Sequence, residues 1–242
     1  EHLPAEVTER HKPRPLAAAL RDARFPSNTN RKARSRLAFD ELLQVQLGLA
    51  LLKTGERKDR GVAHALAHGL VSRAFGSAGW AFSDAQEAAF DALRRDLRRS
   101  VPMERLLQGD VGSGKGAVVR AAMTLVAEGK GQVVFVANSP TEAEHQHVFA
   151  GEWFRSVGIE PLLLLGEPSR LEADALKKGE TLVIYATRAI LENPPEMRRV
   201  GLVIVEQAGG YCVPDLTPFE RGQPRPDLLV TTPTPVPSML AM

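Results

Sequence analysis

The chain has 242 residues, 43% hydrophobic and 25% charged, with a formal net charge of +2. That is an ordinary globular composition, and the charge is too small to argue by itself for a polyanionic partner. No apolar run approaches the roughly 20 residues that cross a bilayer and nothing near Glu1 resembles a signal peptide; the single cysteine, Cys212, excludes an internal disulfide and suits a reducing, cytoplasmic compartment.

Residues 1 to about 34 are polar and carry Pro4, Pro13, Pro15 and Pro26, with a short helical pattern over 16–24, and read as a surface connector. Leu37, Leu42, Leu43, Val45, Leu47, Leu49 and Leu51 then recur among polar residues, which predicts one long helix over 33–53. Residues 54–63 read as an exposed loop. A second helix is expected over 62–75, ended by Gly76-Ser77-Ala78-Gly79. Residues 1–79 thus read as a mainly helical linker and 80–242 as a separate domain. Ser83 fits the N-cap of a helix over 84–99, with Gln86 and Glu87 in its first turn.

The stretch Gly109-Asp110-Val111-Gly112-Ser113-Gly114-Lys115-Gly116 follows an apolar run, 105–107, and opens a helical pattern over 117–127. A strand, a glycine-rich turn, a lysine and a helix form the phosphate-binding loop. Glycines turn backbone N–H groups inward, the helix N-terminus adds partial positive charge, and Lys115 reaches the terminal phosphates. The pattern asks for a hydroxyl after the lysine to hold magnesium, and this chain has Gly116.

Further along, β-rich runs at 132–137, 161–165, 181–185, 202–205 and 228–231 alternate with helical patterns at 142–157, 171–178 and 187–192. Near-continuous Val/Ile/Leu runs alternating with helices imply a parallel sheet covered on both faces. Ligands of such sheets bind beyond the carboxyl ends of the strands, where the glycine loop lies.

In this order the segments resemble the first motor domain of the RecG family of superfamily-2 helicases. Arg36-Leu37-Ala38-Phe39-Asp40-Glu41-Leu42-Leu43 with Gln46-Leu47 is similar to that family's helical linker. Phe82-Ser83-Asp84-Ala85-Gln86 resembles its adenine-reading glutamine motif, and the run from Pro102 to Lys115 is nearly its motif I. Pro140-Thr141-Glu142 with Gln146-His147 resembles motif Ia, and Ala186-Thr187-Arg188-Ala189-Ile190-Leu191 resembles motif Ib. Gly201-Leu202-Val203-Ile204 leading into Glu206-Gln207 sits at motif II, and Thr232-Pro233-Thr234-Pro235-Val236-Pro237 at motif III. Transcription-repair coupling translocases share several of these motifs, but the linker segment favours RecG.

The resemblance implies a RecA-like α/β domain that takes ATP. Gln86, Gly109, Gly112, Ser113, Gly114, Lys115 and Gly116 would form the nucleotide site, with Lys115 and Glu206 as catalytic groups. Thr141 and Thr187 would touch the backbone of branched or duplex DNA. A motor of this kind needs a second motor domain, so that domain or a protein partner is expected. The departures cluster at the chemistry. Gly116 stands at the magnesium hydroxyl and Val205 at the motif II aspartate, while Glu206 is retained. Magnesium is therefore expected to bind weakly or not at all, and hydrolysis to be slow. Ala208 and Gly209, Pro233 and Ser238 also depart from motifs II and III. A degenerate DNA-binding motor and a pseudo-helicase adaptor without ATPase activity both remain open.

Other residues carry two readings each. Gln86 reads adenine or caps its helix; Glu206 is a base or only a strand-end carboxylate. Thr141 and Thr187 contact DNA or cap the helices after them. Arg94, Arg95, Arg98, Arg99 and Arg105 form a phosphate-binding patch or a solvated helix face. His145 and His147 lack the second ligand pair a metal site needs. Trp80 and Trp153 read as core or interface anchors.

Overall fold

The computed structural model describes residues 3, 5–24, 30–56, 60–67, 69–206, 215–220 and 224–233. Cys212, Gln207, Ala208 and Gly209 of motif II and residues 234–242 of motif III lie outside the described residues. The chain divides into two compact units, Glu1–Lys58 and Asp59–Met242.

The first unit holds α1 (Ala5–His11), α2 (Leu16–Arg24) and α3 (Asn30–Glu56). The connector is more helical than its prolines suggest, because Pro13 and Pro15 fall between α1 and α2 rather than inside either. The helix predicted over 33–53 is α3, which continues to Glu56 into the expected loop. α2 packs on α3, with Ala19 and Ala33 fully buried. The buried Arg36 donates from Nε to both oxygens of Asp40, at 3.0 and 3.1 Å, and from Nη1 to the Arg14 carbonyl at 2.9 Å. A buried guanidinium is tolerated only when paired in this way.

In the second unit, residues 60–67 are not helical, and α4 (Gly69–Ala78) begins seven residues later than expected from the sequence and passes through Gly76. Tertiary bonds explain the shift. The N–H groups of Gly61 and His64 donate to the carbonyls of Ser100 and Leu97, which holds this stretch out of a helix. The α4 N-terminus instead finds the Glu128 carboxylate, which accepts from Gly69 and Leu70; a carboxylate there satisfies end donors and complements the helix dipole. The break falls at Gly79, with φ +70°.

The helix after Ser83 is α5 (Asp84–Leu97), started by a capping box between Ser83 and Gln86. Then come β1 (Glu104–Gln108), α6 (Lys115–Glu128), β2 (Gln132–Ala137), α7 (Pro140–Arg155), β3 (Leu162–Leu164), α8 (Arg170–Lys178), β4 (Val183–Thr187), α9 (Ala189–Glu192), β5 (Val200–Glu206), α10 (Thr217–Glu220) and β6 (Asp227–Thr232). The six strands form one sheet in the order β1-β6-β5-β2-β4-β3, every pair parallel. This is the RecA-like α/β architecture expected from the alternation of strands and helices. No described helix is long and apolar enough to cross a membrane.

Each sheet face has its own core. On one, Val133, Phe135, Leu202, Ile204 and Leu229 meet Leu97, Met123, Leu125 and Phe154 from α5, α6 and α7. On the other, Val134, Val136, Val203, Val205, Leu228 and Val230 meet Leu176, Ile190, Leu216 and Phe219. Alternate residues of a strand serve opposite faces, which explains why the strands read as unbroken apolar runs. Trp153 is buried and donates from Nε1 to Thr124 Oγ1 at 2.8 Å, while Trp80 is partly exposed and packs edge-on against Phe75. Under the sheet, the buried Asp227 meets His64 Nε2 at 3.0 Å and accepts the Met103 N–H at 2.5 Å.

Candidate nucleotide site

The loop between β1 and α6 is tied to the sheet by the Gly109 N–H, which donates to the Thr232 carbonyl at 3.3 Å. It then turns through the Ser113 N–H to Asp110 carbonyl bond at 3.1 Å. Gly112 and Gly114 both have φ +81°, a conformation in which a Cβ meets the following carbonyl. Gly114 is constrained twice, since a Cβ there would lie 2.2 Å from Gln86 Nε2. Gly114 is also the N-cap of α6 and offers no side-chain oxygen to the helix. The α6 N-terminus is therefore not capped by its own sequence, as an anion-binding terminus requires.

Lys115 Nζ donates to the carbonyls of Gly109 and Asp110, at 2.5 and 2.9 Å. Its charge is thus held by the loop's own backbone. Gln86 performs two tasks at once. Its Oε1 accepts from the Ser83 N–H at 3.0 Å, and its Nε2 donates to the Ser113 carbonyl at 3.0 Å. The helix cap is thus present, and the same side chain braces the glycine loop.

These groups open onto a cleft of about 460 Å³ at the carboxyl ends of the strands. Gly112, Gly114, Lys115, Gly116 and Arg120 line the loop side; Asn138, Glu142, Gln146 and Phe149 come from β2–α7, Tyr185 from β4, Glu206 from β5, and Thr231 and Thr232 from β6. Glu206 is the carboxylate that faces the loop. Burial first, and then the nearby Glu142, push its pKa up to about 7, against the opposing pull of Lys115 and the Gln146 amide, which donates at 3.3 Å. Val205, placed from the motif at the metal-binding aspartate, points the other way. It is buried in the opposite core with Leu216 and Phe219, because its neighbours Ile204 and Glu206 take the loop face. Of the two, Glu206 is the side chain that lines the cleft with Lys115.

The loop lacks the hydroxyl that its pattern offers to magnesium, while two carboxylates, Glu206 and Glu142, line the cleft. The ion keeps octahedral oxygen coordination, drawing on one or two carboxylates plus phosphates. Gly116 carries no hydroxyl, and a Cβ on it would lie 3.3 Å from Arg120 Nη1. A guanidinium thus stands beside the place of the missing ligand. Among the described residues, no cluster of three His, Cys, Asp or Glu side chains is arranged to hold a metal.

The sequence did not single out Arg120, Phe149 or Tyr185. Arg120 lies 5.0 Å from the Phe149 ring centroid and 5.9 Å from that of Trp153, and burial lowers its pKa. Its signal was present, as the one charge among residues 116–127. The buried Tyr185 hydroxyl approaches Met123 Sδ at 4.0 Å, and burial raises its pKa.

Thr141 and Thr187 do not cap helices. Ser139 is the cap of α7, accepting the Glu142 N–H, with Thr141 exposed in the first turn. Thr187 ends β4, and α9 has no side-chain cap bond. Strands β2 and β4 pair Ala137 with Thr187, which puts both threonines at the carboxyl edge of the sheet. Three of the five arginines of the patch are paired with neighbouring carboxylates: Arg94 with Asp91, and both Arg99 and Arg105 with Asp96. His147 Nε2 meets the Pro161 carbonyl, and His145 stacks on Phe149.

No protein-family model matches the chain. Over 99% of its length it is 29% identical to the ATP-dependent DNA helicase RecG of Synechocystis sp., covering 30% of that protein. It is 31% identical over 99% of its length to the RecG of Escherichia coli K12, covering 35% of it. Among solved structures, RecG bound to a three-way DNA junction matches all of this chain with a TM-score of 0.79 at 28% identity, over 33% of that chain. The helicase MrfA bound to DNA and AMPPNP matches 76% of this chain and 28% of its own at a TM-score of 0.54 and 12% identity, a likeness of fold alone. The chain spans about a third of the length of the RecG proteins it matches. By sequence over nearly its whole length and by fold, it is a RecG-like superfamily-2 helicase domain.

Proposed function

We propose that this domain binds ATP at the loop before α6 and DNA along the carboxyl edge of the sheet, and that alone it hydrolyses ATP slowly. The observation that carries the reading is the cleft at the α6 N-terminus that Lys115 and Glu206 both line, beside a glycine loop braced by Gln86. Lys115 needs only to exchange two backbone carbonyls for phosphate oxygens, an exchange in which a charge-assisted bond is the stronger. Glu206 stands where a base would act on an attacking water, but burial raises its pKa and favours the protonated form, which cannot act as a base. Slow hydrolysis follows from this and from the missing hydroxyl, since loss of one preorganised contact costs on the order of 10²–10³ in rate.

A RecG protein has been solved on a three-way DNA junction, and by analogy branched DNA is the substrate proposed here. Thr141 and Thr187 would then contact the DNA backbone without reading sequence. A second motor domain, in the same protein or supplied by a partner, would complete the motor.

One observation favours the adaptor reading instead. The loop satisfies Lys115 with its own carbonyls, so the fold is complete without phosphate. Titration of a fluorescent ATP analogue against the chain and its Lys115→Ala variant decides. Binding lost in the variant supports the nucleotide site; no binding at millimolar nucleotide leaves a scaffold; equal binding by both chains moves the site elsewhere.

A further inference from the structure

Arg120 follows Gly116 by one helical turn, and long helical side chains lean back over the turn before them. With no side chain at Gly116, the Arg120 guanidinium lies over that bare backbone, Nη1 being 3.3 Å from where a Cβ would stand. It also lies against the rings of Phe149 and Trp153. Among the described residues it makes no ion pair, and it lines the same cleft as Lys115 and Glu206. A cation stacked on rings and directed at a phosphate loop is partly desolvated and preorganised. Its planar fork of donors matches phosphate oxygens two at a time.

We propose that Arg120 takes the place of the divalent metal: its guanidinium neutralises the terminal phosphates, and the nucleoside triphosphate binds this loop without magnesium. The absent hydroxyl and the arginine one turn later are then one arrangement. A side chain at Gly116 would crowd the guanidinium where it now lies, 3.3 Å from the place of a Cβ. The proposal rests on the nucleotide-binding reading above and adds to it the identity of the counter-charge.

The test is titration of a fluorescent ATP analogue against the full chain, in EDTA and in magnesium. Wild type should bind with affinities within about twofold in the two buffers, and Arg120→Gln should bind about tenfold or more weakly in EDTA. Arg120→Lys should recover only part of the loss, because an ammonium lacks the fork. Gly116→Thr puts a Cβ and a hydroxyl beside the guanidinium and crowds it where it now lies. It should weaken binding in EDTA and introduce a magnesium requirement, and circular dichroism confirms that each variant is folded. Wild-type binding that needs magnesium, or a folded Arg120→Gln that binds normally in EDTA, overturns this proposal and leaves the nucleotide site standing. No binding by wild type in either buffer overturns both.

Discussion

Two carboxylates in the sheet domain, Asp227 buried and Glu206 half-buried, sit in opposite circumstances. Asp227 lies under the sheet with both oxygens engaged, one by His64 and one by the Met103 N–H. Glu206 stands in the cleft with a single long contact from Gln146 and a second carboxylate, Glu142, as neighbour. Burial raises the pKa of both, yet only at Asp227 do two directed donors compensate for it. A carboxylate that supports the fold is satisfied from every side; one left short of partners inside a cleft is available to a ligand.

The comparison is broken most severely at its structural end. Asp227→Ala strands the Met103 N–H and the His64 ring in the interior, and each buried group left unpaired costs about 1–3 kcal/mol. A loss of about 2–4 kcal/mol is expected in urea unfolding, with nucleotide affinity per folded molecule unchanged. Gly114→Ala comes next. It puts a Cβ on a φ of +81° and against Gln86, so about 1–3 kcal/mol of strain should appear in the same unfolding curves. Nucleotide binding should fall with it.

Glu206→Gln sharpens the contrast through pH. The folded-state pKa of about 7 lies above the ordinary 4.5, so the folded chain binds this proton more tightly than the unfolded one. Glu206 therefore costs no stability well below pH 4.5, and its cost grows as pH rises through the window between 4.5 and about 7. Removing the charge should raise Tm by about 2–4 °C at roughly pH 8 and change it little at roughly pH 4, allowing for partial solvent screening. A Tm difference that does not depend on pH would show that Glu206 titrates normally. The smallest effect belongs to the exposed Thr141. Thr141→Ala should leave Tm within about 1 °C and weaken binding to a three-way DNA junction only a few-fold, with a steep dependence on salt in both chains.

Some of this molecule was legible in its sequence because the relevant physics is local. The turn at Gly112 and Gly114 needs backbone conformations that other residues resist, so glycine spacing reports it directly. Ser83 and Gln86 form a capping box within four residues. The apolar runs announced a parallel sheet, since strands buried on both faces cannot alternate. What stayed hidden depends on partners distant in the chain. The start of α4 was decided by Glu128 and by backbone bonds to Leu97 and Ser100, so periodicity over 62–75 misplaced it. The orientation of Val205 and Glu206 was decided by the register of β5 between β2 and β6. The nearness of Arg120 to Gly116 was implicit in helical geometry, but its seat against Phe149 and Trp153 required α7 to pack on α6. The sequence by itself determined the loop, the strands and the departures from the motor pattern. Only the tertiary structure decided which side chains face the cleft, because facing is a property of register and packing rather than of residue type.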